Sequence, residues 1–119
     1  MKIAINQCYG GFSLSATGFK HYLDLKGIKY GTCKTQWQWR EDDEDFYHDG
    51  HVGESDHYLS DRDIPRDDPA LIQTIEELGN KANGFCAALA VIEIPDNVQW
   101  QIEEYDGNEW VAEQHRTWR

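Results

Sequence analysis

Gly-Phe-Cys-Ala-Ala-Leu-Ala-Val-Ile-Glu-Ile-Pro-Asp-Asn-Val-Gln-Trp-Gln-Ile-Glu-Glu-Tyr-Asp-Gly-Asn-Glu-Trp-Val-Ala-Glu-Gln-His, residues 84–115, decides the fold. Phe85 to Ile94 is nearly all apolar, with β-branched members, and is bounded by Gly84 and Pro95. That pattern predicts a strand covered on both faces. Pro95-Asp96-Asn97 is turn chemistry. Val98, Trp100 and Ile102 then alternate with Gln99, Gln101 and Glu103, the period of a half-buried strand. A three-residue loop at Tyr105-Asp106-Gly107 would pair Ile102 with Trp110 and collect the apolar side chains on one face. A two-residue Asp106-Gly107 turn would reverse the parity and leave Trp110 on the polar face. The three-residue loop is therefore the expectation.

Upstream, Lys2 to Asn6 reads as a first strand, followed by a loop with Tyr9, Gly10 and Gly11. Ser13 or Ser15 can cap a helix that buries Phe19, Tyr22 and Leu23 and stops at Gly27. Gly27 to Cys33 suits a second strand, and Trp37 and Trp39, two apart, suit a core face. Asp68 and Pro69 are a good N-cap and first residue for a second helix, which carries the stripe Leu71, Ile72, Ile75 and Leu78. The chain of 119 residues is long enough to bury a core as one domain. The predicted architecture is a single α+β domain. Two helices pack on a mixed or antiparallel sheet of about five strands, with a C-terminal hairpin and a long acidic central loop at 41–68.

Cys8, Cys33 and Cys86 are an odd set without CxxC spacing, so free thiols are expected. No run has the length of a membrane span and no signal peptide pattern opens the chain, which points to a cytoplasmic protein. The net charge is −11. Between Glu41 and Asp68 twelve Asp/Glu face two Arg, whereas the remainder holds ten acids and nine Lys/Arg. One segment thus carries nearly all the excess charge. Its field opposes nonspecific binding to nucleic acid and favours a basic partner. Asp42, Asp43, Glu44, Asp45, Phe46, Tyr47 and Asp49 are the candidate docking residues, with the aromatics as apolar anchors.

Two other chemistries have ingredients. Strand, glycine loop and helix N-terminus can form an anion site. Asn6, Tyr9, Gly10, Gly11, Ser13, Ser15, Arg66, His115 and Arg116 are its candidates for a small nucleotide or phosphate, although neither GxGxxG nor a Walker loop is present. His48, His51 and His57, with Asp49 and Asp56, are candidates for a metal site, the alternative in which the chain is a metal-dependent enzyme, at a spacing that matches no established zinc signature. The same stretch half-matches a calcium loop, with Tyr47 at a ligand position. No cofactor and no catalytic residue is expected. The aromatic sheet edges are compatible with a homo-oligomer.

Ile-Asn-Gln-Cys-Tyr-Gly-Gly-Phe-Ser-Leu-Ser near the start, Ile-Pro-Arg-Asp-Asp-Pro (64–69), Glu-Glu-Leu-Gly (76–79), Glu-Ile-Pro-Asp (93–96), Glu-Glu-Tyr-Asp-Gly (103–107) and His-Arg-Thr-Trp (115–118) resemble small uncharacterised proteins of bacteriophages and prophages. The resemblance covers about two thirds of the chain and omits much of 30–62. It implies phage origin and action in the cytoplasm of a bacterial host. By analogy it implies binding to host machinery, including defence systems, and it transfers no site residue.

Overall fold

The computed structural model describes residues 1–34 and 44–113. Its strands are β1 (Lys2–Asn6), β2 (Tyr30–Lys34), β3 (Glu44–His48), β4 (Tyr58–Leu59), β5 (Leu89–Glu93), β6 (Trp100–Tyr105) and β7 (Asn108–Glu113). The helices are α1 (Ala16–Lys26) and α2 (Pro69–Leu78), and short 3₁₀ turns occur at Ser55–His57, Asp61–Asp63 and Gly79–Ala82. The fold is α+β with two helices and antiparallel pairing, as the sequence predicts. Among the described residues the strands form three small sheets, ordered β1-β5, β2-β3-β4 and β6-β7.

Each helix begins where its cap chemistry dictates. The Ser15 hydroxyl accepts the Gly18 amide, and Gly27 ends α1 in the left-handed region. The Asp68 carboxylate accepts the Ala70 amide and Pro69 opens α2. Phe19, Tyr22 and Leu23 of α1 then meet Leu71, Ile72 and Ile75 of α2, with Ala4 of β1 and Phe46 of β3 completing the core. Ile3 and Ile5 are also buried. They pair with Ile92 and Ala90 and so occupy the other face of the β1-β5 ladder from Ala4.

Three expectations change. The strand predicted over Phe85–Ile94 begins only at Leu89. Residues 84–87 close a turn instead: the Gly84 amide donates to Ser13, and the Ala87 amide to Gly84. Cys86 has φ 59° and Phe85 is 49% exposed. Among the described residues β5 pairs only with β1, and Leu89 to Ile92 are half-buried. Second, the central segment is not all loop, because Glu44–His48 forms the middle strand of a sheet with β2 and β4. Phe46 is its one buried residue, which hides the alternation from a sequence reading. Third, the hairpin has the two-residue turn. Tyr105 pairs with Asn108, Glu103 with Trp110 and Ile102 with Val111. Asp106 and Gly107 have φ 49° and 86°, the double positive φ of a turn whose twist matches the flanking strands.

Candidate functional site

The loop after β1 packs against the hairpin turn. Asn6 is fully buried, and its amide nitrogen Nδ2 donates to the carbonyls of Cys8 (2.6 Å) and Gly107 (2.7 Å). Its Oδ1 accepts the Ala88 amide at 2.8 Å, and its backbone N–H donates to Glu109 Oε1 at 2.8 Å. Arg66 grips the same carboxylate with two bonds of 2.6 and 2.9 Å, and its guanidinium lies 3.8 Å from the centre of the Phe12 ring. The Gly10 amide donates to the Asp106 carbonyl. Ser15, besides capping α1, donates to the Lys81 carbonyl.

Among the residues considered for a nucleotide or phosphate, Asn6, Gly10, Gly11 and Arg66 are thus drawn together around the hairpin, whereas Ser13 and Ser15 pack against the backbone of 81–84. Several of their polar groups are engaged within the chain. The anion held by Arg66 is the protein's own Glu109. Tyr9 stands apart, 60% exposed and edge-on to Tyr105 at 6.5 Å. His115 and Arg116 lie outside the described residues.

The acidic segment splits into structural and outward groups. Glu44 pairs with Lys20 at 2.9 Å. That hydrogen bond, then one with Thr32, holds its carboxyl below the usual glutamate value. Phe46 is 4% exposed and packs edge-on to Phe19 at 4.8 Å, so it serves the core rather than acting as an outer anchor. Asp61 accepts the Leu14 amide, and burial pushes its carboxyl up. Tyr47 meets the exposed Tyr58 edge-on at 5.7 Å. Asp49 is exposed. Asp42 and Asp43, like Trp37 and Trp39, lie outside the described residues.

The hairpin supplies a surface that the sequence reading missed. On its outward face Tyr105 is 68% exposed and Trp110 46%. The Trp110 indole donates to Glu103 at 3.1 Å, and Tyr9 extends the aromatic row beyond Tyr105. β6 and β7 contain Glu103, Glu104, Glu109 and Glu113, the turn adds Asp106, and neither strand carries a Lys, Arg or His. A signal was present in the sequence, where residues 82–113 contain no cationic side chain at all.

The histidines converge. His51 Nδ1 is 2.8 Å from Glu54 Oε2, and His57 Nε2 is 3.7 Å from the same oxygen. The His51 and His57 rings stack at 3.8 Å, and His48 stands edge-on to His57 at 6.0 Å. Glu54 was not among the metal candidates read from the sequence. A hollow of about 220 Å³ opens beside them, lined in part by His48, Tyr58 and Asp63. No helix among the described residues is long and apolar enough to cross a membrane. The chain matches no protein-family model, no curated protein and no solved structure.

Proposed function

We propose that this chain is a non-enzymatic binding protein that docks a basic surface of another protein. The resemblance to phage proteins supports a host protein in an infected bacterial cell as the partner, with a defence component as one such target. The supporting observation is the outward hairpin face, where Tyr105 and Trp110 are exposed beside Glu103 and the turn's Asp106, with no cation on either strand. Aromatic side chains among acids suit Arg and Lys, which the rings attract through their faces and the carboxylates through charge. Exposed Asp49 and Tyr58 extend the same chemistry on the central segment. Large aromatics at interface centres commonly account for about 2 kcal/mol or more each. Long-range charge sets the association rate and its salt dependence.

The experiment is an affinity capture from bacterial lysate at low and high salt, using the wild-type chain and the Tyr105→Ala/Trp110→Ala double variant. A basic protein retained by the wild type at low salt, released at high salt and lost by the double variant is the expected result. The captured protein is then purified and titrated against both chains by calorimetry. Equal affinity for the two chains, or binding indifferent to salt, would sink the reading.

A further inference from the structure

Residues 48 to 57 form a ladder with a step of three. The His51 amide donates to the His48 carbonyl at 3.0 Å, the Glu54 amide to His51 at 3.1 Å, and the His57 amide to Glu54 at 2.9 Å. These three turns leave the side chains at that step close to one another. The residues at that step are His48, His51, Glu54 and His57. Gly50 and Gly53, at φ 81° and 85°, make the reversals within the ladder. Val52 docks the segment onto β2, where Gly31 leaves room for it: a Cβ at Gly31 would come within 2.3 Å of Val52 Cγ2.

We propose that His51, Glu54 and His57 form a binding site for a zinc-class divalent metal ion. One ligand atom from each lies within 4.8 Å of the others. Both imidazoles turn a nitrogen toward the same carboxylate oxygen. Two imidazole nitrogens and one carboxylate are a three-ligand zinc set, and they leave a fourth coordination position for water or another ligand. With Zn–N bonds of about 2.0–2.1 Å, tetrahedral ligand atoms stand about 3.4 Å apart, so the triad closes on an ion by an inward shift together with rotation of the stacked imidazoles, whose lone pairs lie in the ring planes. The side chains are 43%, 58% and 39% exposed, which leaves them room to make it. Imidazole ligands select zinc, copper or nickel over calcium and magnesium, which prefer all-oxygen sites. His48 remains beyond the triad, next to the hollow. The inference does not depend on the docking function proposed above, and the Tyr105→Ala/Trp110→Ala variant retains zinc in full.

The test is calorimetric titration of the full chain with zinc and, separately, with calcium. Zinc binding is expected at one ion per chain, and calcium binding is not. Glu54→Gln and His57→Ala are each expected to weaken zinc binding by roughly 10-fold or more. His21→Ala, whose ring pairs with Glu77 on α2, leaves it unchanged. Thermal unfolding in chelator checks that the variants fold as the wild type does. A chain that takes up no zinc, or a His51→Ala/His57→Ala variant that binds it as tightly as the wild type, would overturn the assignment.

Discussion

Asn6 engages both side-chain polar atoms and its backbone amide with partners on other parts of the chain, and Glu109 shares one of those contacts while Arg66 closes on it from the far side. Removing either side chain strands buried partners. Asn6→Ala leaves the Gly107 carbonyl and the Ala88 amide without their bonds and should cost on the order of 3 kcal/mol in urea unfolding. Glu109→Ala leaves the Arg66 guanidinium unpaired and the Asn6 amide unsatisfied, for a loss of about 3–5 kcal/mol. Glu109→Gln keeps an acceptor for both and should fall between that variant and the wild type. Wild-type stability in the alanine variants would mean that the clamp is idle. Little of this was legible in the sequence. The sequence offers Arg66 as a ligand for an external anion, yet its partner is a carboxylate of the same chain 43 residues away. Asn6 reads as a ligand candidate because sequence names side chains and conceals the backbone carbonyls they serve.

Within the hairpin, two local rules conflict. Alternation favours a loop that places Trp110 inside, and Asp106-Gly107 favours a tight turn with two positive φ angles. The turn wins, and the reversed parity sends Glu109 inward to Arg66 and Trp110 outward to Glu103. Gly107→Ala tests the element directly. A Cβ there would stand 2.2 Å from the Gly11 backbone nitrogen, at a φ of 86° that side chains disfavour. Loss of more than about 1 kcal/mol is expected, with faster hydrogen exchange at the Gly10 amide.

At α2, burial pushes the Asp68 carboxyl up. Hydrogen bonds from the Tyr22 hydroxyl, the Ala70 amide and Lys26 outweigh it and leave the pKa below 3.8. The same contact, after burial, pushes the Tyr22 phenol up to about 12. A carboxyl depressed in the folded state adds stability above its unfolded value, and that stability is lost as pH falls through the folded one. The stability gap between wild type and Asp68→Asn should therefore shrink below pH 3.8. A gap that is constant with pH would refute the assignment. Here the sequence was fully legible, because Asp-Pro before an apolar stripe is a local signal.

Over the whole molecule, several of the cations among the described residues sit in ion pairs. Lys2 pairs with Glu76, Lys20 with Glu44, Lys26 with Asp68 and Arg66 with Glu109. Composition gives the net charge of −11, but the sequence order suggests that only the central segment is acidic. Folding redistributes that charge, since bases from the N-terminal half neutralise acids of the segment and the hairpin keeps most of its own. A chain of this charge repels itself, and exposed pairs contribute little. Raising NaCl from low salt to about 0.5 M should lift the thermal midpoint by a few degrees. A fall would mean that the ion pairs outweigh the repulsion.

The closure of β1 has a consequence for synthesis. β1 pairs with β5, and its Asn6 amide bonds to Glu109, 103 residues later. A nascent chain leaving the ribosome therefore carries Ile3-Ala4-Ile5 without its β5 partner until residues 89–93 have emerged. For that interval it presents the apolar, unpaired strand edge that chaperones bind and that other nascent chains can capture.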